Sequence, residues 1–172
     1  MSGRQNSGRV DHDTFRDLQD FLFREAAILD GHNYQQWLGL LTDDISYQVC
    51  AQLNRDAAAT PVSYAIIDED AHRLKARVSQ IANPRLTHAE NPPTLIRRFV
   101  SNLMAETGAS ADEYRLDSSL LIFRTRPDMP DGGLYSGARS DIVRRVDGEL
   151  RLARRRVVLD QAILPGTVST IF

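Results

Sequence analysis

Residues 21–47, FLFREAAILDGHNYQQWLGLLTDDISY, leave little choice of fold. Phe15, Leu18, Leu22, Ala26 and Leu29 recur at spacings of three and four, which lines them along one stripe of a helix. Arg16, Asp17, Gln19, Asp20 and Arg24 fall mostly off that stripe, so the helix needs a core on one side and water on the other. Asp13 or Thr14 offers the N-cap, with Asp17 at capping-box spacing after Thr14, and Gly31 offers a left-handed stop; the helix is expected over 13–30. A second, shorter helix is expected from Asn33, burying Tyr34, the single Trp (Trp37), Leu38 and Leu41 until Thr42-Asp43-Asp44 ends it. Ile45, Tyr47 and Val49 then alternate with Ser46 and Gln48, the pattern of a strand with one face covered.

The length of 172 residues suits one core, and no linker rich in Pro, Ser or Gly divides the chain. A flexible N-terminal arm is expected over 1–12 and a single domain over 13–172. The net charge is only −2, because 21 basic residues, of which Lys75 is the one lysine, are balanced by 23 acidic ones. Such a balance argues against a nucleic-acid partner. One cysteine, Cys50, excludes an internal disulfide and suits a reducing compartment. The first ten residues are polar and carry no apolar run, and no stretch approaches the about 20 apolar residues of a spanning helix. A cytoplasmic, soluble protein is expected.

After Cys50, AQLNRDAAATPVS reads as a surface excursion. From Asp68, DEDAHRLKARVSQI places acids in a first turn and Leu74, Val78 and Ile81 at helical spacing, predicting a third helix that Asn83-Pro84 ends. The stretch to Pro93 reads as loop. Strands are expected over 95–104 and 114–125; in the second, Leu116, Leu120 and Ile122 lie on one face and Leu121 and Phe123 on the other, so both faces should be covered. PDMPDGG (127–133) reads as a turn-rich loop, followed by a strand over 135–145. Asp147-Gly148 signals a two-residue hairpin leading into a partner strand over 150–163. Three helices followed by long strands make an α+β fold, with the helices packed on a curved, mainly antiparallel sheet to form a cone.

That cone is the shape of nuclear transport factor two, scytalone dehydratase, ketosteroid isomerase and the small (β) subunits of aromatic-ring-hydroxylating dioxygenases. The chain resembles the last group along nearly its whole length. Besides 21–47, the pattern is echoed in Tyr64-Ala-Ile-Ile-Asp-Glu-Asp70 followed by Leu74 and Arg77-Val78. It is echoed again in Asn91-Pro-Pro93 leading to Arg97-Arg98-Phe-Val-Ser-Asn102, and in Asp117-Ser-Ser119 before Phe123-Arg124. Tyr135-Ser-Gly-Ala-Arg-Ser-Asp141 and Arg154-Arg-Arg-Val-Val-Leu-Asp160 complete it. The resemblance implies a non-catalytic structural subunit of the oxygenase component, forming the trimeric base of an α3β3 hexamer. It implies a large (α) subunit holding a Rieske [2Fe-2S] cluster and a mononuclear Fe(II), fed by a ferredoxin and a reductase, and converting aromatic hydrocarbons to cis-dihydrodiols.

The residues agree that the metals belong elsewhere. A Rieske cluster needs two Cys and two His, and the chain has one Cys. Its four His, His12, His32, His72 and His88, include no pair spaced to share one iron, and each reads as a solvated or capped surface residue. No cofactor or metal is therefore expected in this chain. The rival reading is a stand-alone dehydratase, isomerase or ligand-binding protein using the interior of the cone. It needs a general base facing a proton donor in an apolar pocket, and Asp43, Asp44, Tyr47, Tyr64, His88 and Asp117 are the candidates. Against it, Asp43 and Asp44 read equally as a polar turn, Tyr47 as a packed strand aromatic and His88 as a loop residue.

The last strand carries three consecutive Arg. Alternation puts Arg151, Ala153, Arg155, Val157 and Leu159 on one face and Leu152, Arg154, Arg156, Val158 and Asp160 on the other. In a complex, guanidinium groups so placed suit bidentate pairing with carboxylates. Arg97, Arg98, Asp141, Arg154, Arg155, Arg156 and Asp160 are accordingly the subunit-interface candidates, some of them expected in buried charge networks between subunits. The alternative for each is a solvated charge.

Overall fold

A computed structural model describes residues 8–52, 63–82, 94–126, 129–161 and 171–172. The element order is α1 (His12–Asp30), α2 (Tyr34–Leu38), β1 (Leu41–Gln52), β2 (Ser63–Asp70), α3 (Ala71–Ile81), β3 (Leu95–Thr107), β4 (Glu113–Arg126), β5 (Met129–Val146) and β6 (Glu149–Leu159). The six strands form one sheet in the order β2-β1-β6-β5-β4-β3, antiparallel throughout except for the β1–β6 pair. Helix α1 packs against β3, and α3 against β1 and β2, so the helices cover one face of the sheet. This is the expected α+β arrangement.

Helix α1 is capped by Asp11, two residues ahead of the first expected cap, Asp13. Asp11 is extended, and its carboxylate accepts from Thr14 N at 2.9 Å and from the Thr14 hydroxyl at 2.8 Å. At the other end Gly31 is not left-handed, with φ at −80°; His32 takes the positive φ of 57° instead. A Cβ at Gly31 would lie 2.9 Å from Asn33 Nδ2, a side-chain end that can turn aside, and 3.3 Å from the Ala27 carbonyl, a tight contact with backbone. The buried stripe is Leu18, Phe21, Leu22, Glu25, Ile28 and Leu29. Phe15 and Ala26, expected on it, are only half-buried, and an acid stands where an apolar residue was expected.

Two boundaries depart further. Helix α3 starts at Ala71, because Asp68–Asp70 close strand β2; Asp70 then caps the helix by accepting from Arg73 N at 2.9 Å. Strand β2 is absent from the sequence reading, which puts Ser63 in the excursion and Asp68–Asp70 in the helix and gives Tyr64–Ile67 no element. Strand β5 starts at Met129, so residues 129–133 of the segment expected as a loop belong to the strand, with Met129 and Gly133 paired to β4. The expected excursion after Cys50 and loop before Pro93 fall largely outside the described residues, as do Asn83-Pro84, His88, residues 162–163 and the first seven residues. Within the expected arm, Arg9 forms an isolated antiparallel bridge with Glu106. The Asp147-Gly148 hairpin is present, both residues at positive φ, 52° and 84°.

A bulge in β6 changes which face its residues meet. Ile142 pairs with Arg154 and Val143 with Leu152, leaving Ala153 unopposed. Before the bulge Leu150 and Leu152 point into the core; after it Arg155, Val157 and Leu159 do. Strict alternation therefore fails at Ala153: Leu152 joins the core side that it was expected to oppose, and Arg151 leaves the face of Arg155.

Candidate functional site

The inner face of the sheet carries a charge cluster at its centre. Arg155 has no exposed surface, and Glu25, Asp141 and Arg139 are 1, 2 and 3% exposed. Glu25 comes from the α1 stripe, Asp141 and Arg139 from alternate positions of β5, and Arg155 from β6 beside them. The Arg155 guanidinium donates to Glu25 Oε1 and Oε2 at 2.8 and 2.7 Å. It donates to Asp141 Oδ1 and Oδ2 at 2.9 and 2.8 Å, and to the Phe172 main-chain oxygen at 3.1 Å. These contacts use all of the donors a guanidinium has. Glu25 Oε1 also accepts from the Trp37 indole at 2.9 Å. Arg139 Nε lies 3.2 Å from Asp141 Oδ2, while its Nε and Nη2 have no well-directed acceptor.

Burial alone would drive the Glu25 carboxyl up, but the charge and hydrogen bonds of Arg155, with Arg139 and Trp37, outweigh it and hold the group below its usual value. Burial likewise pulls Arg155 down, and Asp141 and Glu25 more than reverse it, leaving it well above the ordinary value. Arg139 is lowered by burial and by repulsion from Arg155. Two acids and two guanidiniums thus compensate one another. Neither carboxylate is free to take a proton from a substrate, since each is already held by Arg155.

Around this centre, the Tyr47 hydroxyl accepts from Phe172 N at 2.7 Å and donates to Phe172 O at 2.9 Å. Burial pushes its phenol up to about 12. Trp37 meets Tyr47 edge-on at 6.1 Å, and Tyr135 meets Phe172 edge-on at 5.7 Å. Arg98 donates to Asp30 Oδ1 at 2.7 Å and to the Ile171 oxygen through Nε and Nη2 at 3.2 and 2.6 Å.

The other candidate acid–base residues do not converge. Asp43 is exposed; Asp44 is exposed and paired with Arg144 at 2.6 Å. Asp117 accepts from the Ser140 hydroxyl at 2.6 Å, and Tyr64 is 42% exposed. Among the described residues, no group of three or more His, Cys, Asp or Glu side chains could hold a metal ion.

The seven interface candidates divide. Arg98, Arg155 and Asp141 are buried with partners inside the same chain, so the charge pairs described for them lie within one chain. Arg97, Arg154 and Asp160 are exposed, and Arg156 is half-buried and donates to the Ser63 hydroxyl at 3.0 Å. Sequence reading missed Glu25, Arg139 and Trp37 as members of the cluster. The one available signal was an acid in phase with an apolar helical stripe.

The outer face of the sheet has the opposite character. Leu95, Phe99, Leu121, Phe123 and Leu134 are 58, 56, 38, 44 and 51% exposed. Register makes them one patch: Phe99 stands opposite Leu121, Phe123 opposite Leu134 on one side and Arg97 on the other. Arg97 is thus set among Leu95, Phe99 and Phe123. The face that two-sided apolarity in β4 led one to expect covered is open in the single chain.

A family model described as "Ring hydroxylating beta subunit" matches residues 24–166. The chain belongs to that family. This β subunit is 36% identical over 161 residues to the small oxygenase component of the p-cumate 2,3-dioxygenase system of Pseudomonas putida, covering 92% of this chain and 87% of that one. Its fold is similar to a chain of naphthalene 1,2-dioxygenase solved with indole bound in the active site, with a TM-score of 0.82 at 23% identity over 94% of this chain and 88% of that one. It is also similar in fold, with a TM-score of 0.66 at 14% identity, to a scytalone dehydratase-like protein of Novosphingobium aromaticivorans, covering 92% and 91% of the two chains. The β subunit therefore shares its fold with proteins of both kinds weighed from the sequence, and its family is that of the dioxygenase subunits.

Proposed function

We propose that this β subunit is a non-catalytic structural subunit of the oxygenase component of a Rieske non-heme iron ring-hydroxylating dioxygenase. The observation that carries the reading is the pairing of an interior whose buried acids Glu25 and Asp141 are held by Arg155 with an open apolar face around Arg97. An interior whose acids are all held by guanidiniums offers no base, whereas an exposed apolar patch of adjoining strands loses free energy only when another surface covers it. The subunit's work is assembly and stability, within an α3β3 hexamer whose trimeric base it forms. The large (α) subunit holds the Rieske [2Fe-2S] cluster and the mononuclear Fe(II), receives electrons from a ferredoxin and a reductase, and converts an aromatic hydrocarbon to a cis-dihydrodiol. Arg97 and Arg154 are the retained candidates for charge pairing at subunit contacts, with Arg156 and Asp160 beside them.

Co-expression with a Rieske-type large oxygenase subunit tests this. The two should co-purify with the iron on the larger chain, and the β subunit alone should be colourless and self-associate. A monomer that turns over a hydroxylated aromatic or steroid-like compound unaided would refute the reading.

A further inference from the structure

Ile171 and Phe172 are held differently from the rest of the core. Both are 1% exposed, yet neither lies in a helix or strand, and their main-chain atoms are met by side chains. Tyr47 of β1 engages both the N–H and the oxygen of Phe172; Arg155 of β6 donates to that oxygen; Arg98 of β3 donates through two nitrogens to the oxygen of Ile171. Tyr135 of β5 presents an edge contact to the Phe172 ring. Four strands thus read an aromatic ring and the oxygens next to it, as a receptor reads a ligand.

We propose that the interior of the cone is a binding site for a compact aromatic ring carrying an acceptor oxygen, and that Phe172 of the chain itself occupies it. Withdrawing Ile171 and Phe172 would take one of the acceptors of Arg155, both partners described for the Tyr47 hydroxyl and the acceptor that two Arg98 nitrogens share. Buried donors left without acceptors are costly, so the emptied site favours any occupant that restores ring and oxygen together over a ring alone. The inference concerns the single chain and does not depend on how it assembles.

The test compares the full chain with a variant lacking Ile171 and Phe172, by thermal unfolding and calorimetric titration with 3-phenylpropionate, 3-phenylpropanamide and toluene. The deletion should lower the melting temperature by roughly 10 °C, the range for losing a buried aromatic side chain. The acid or the amide should bind it saturably and recover roughly 5 °C of that loss, toluene should bind more weakly, and the full chain should bind none of them. Adding Tyr47→Phe to the deletion should weaken the oxygen-bearing ligand by up to about tenfold, the worth of one hydrogen bond. Absence of saturable binding, binding no tighter than that of toluene, or equal binding by the full chain would overturn the proposal. Should the deletion variant not fold, Phe172→Ala opens the ring space alone; it should then bind toluene where the full chain does not, and failure to do so overturns the proposal equally.

Discussion

The centre of the inner face and the margin of the outer face exchange the roles usual in a soluble protein. Inside, Glu25, Arg139, Asp141 and Arg155 stand where apolar residues are the norm; outside, Leu95, Phe99, Leu121, Phe123 and Leu134 face water. The inner charges are closed on one another through Arg155, which binds α1, β5 and β6 to Phe172 with well-formed hydrogen bonds. Among the described residues, the outer ones stand beside their strand neighbours. Charge that is saturated within the chain makes a rigid core feature, whereas apolar surface left open makes an interface. The buried charges are tied up inside the chain, and the bland-looking face is the one we propose to be covered in the assembly.

The largest expected effect comes from breaking the inner unit. Arg155→Met leaves Glu25 and Asp141 buried and short of their main cation, and should cost about 3–5 kcal/mol or prevent folding; a loss below about 1 kcal/mol in urea denaturation would mean that the cluster is not a closed unit. Glu25→Gln keeps the shape and an acceptor for Trp37 and should cost less, about 1.5–3 kcal/mol, the range for a hydrogen bond to a charged group.

The inner unit should also show at both ends of the pH range. Because the folded Glu25 carboxyl lies below its ordinary value of 4.5, its contribution is complete above that pH and is lost as pH falls through the depressed value. Glu25→Gln should therefore flatten the acid limb of the stability profile. The Tyr47 phenol is raised to about 12 from an ordinary 10.0, so the neutral form is favoured in the fold and stability should fall as pH rises between those values. A Tyr47→Phe chain should lack that fall, as followed by denaturation at pH 9, 10 and 11.

The outer face should behave in the reverse sense. Phe123→Asp should leave the unfolding free energy of the isolated chain within about 0.5 kcal/mol, as for an ordinary surface change, while abolishing association in gel filtration and co-purification. An unchanged elution volume would dissolve the contrast between the two faces. Smallest of all, Arg97→Ala should leave folding unaltered and weaken association by less than about tenfold, since a charge at a hydrated contact is worth at most about 1 kcal/mol. A larger loss would mean that the contact buries Arg97 against a charged partner rather than leaving it hydrated.

How far these faces were legible in the sequence differs residue by residue. The helical stripe through Leu18, Leu22 and Leu29 and the Asp147-Gly148 hairpin followed from local periodicity and turn chemistry, and both are present. Strand β2 was missed because its exposed Tyr64 and Ala65 and its acidic end carry little alternation, and its pairing partner β1 lies across a sequence gap. The face of Arg155 was read correctly relative to Val157 and Leu159 but wrongly relative to Leu152, because a single unopposed residue, Ala153, reverses the alternation and leaves no mark in composition. Arg155 was singled out as a charge needing acids, yet its partners were sought in another subunit. Glu25 lies 130 positions away and Asp141 14, and only the packing of α1 over β5 and β6 makes them neighbours.

The sequence by itself determined the α+β class, the helix–turn–helix–strand opening and the absence of cysteine enough for an iron-sulfur site, since each rests on local spacing or on simple counts. It also carried the family likeness, spread through motifs in order along the chain. Only the tertiary structure decided which charges are inside, that Phe172 completes the interior, and that β3, β4 and β5 present one apolar face around Arg97. Those facts depend on strand register and on contacts between residues far apart in the chain. A periodic pattern says that a residue faces one side of its element; which side becomes core is fixed by what the other elements bring to it.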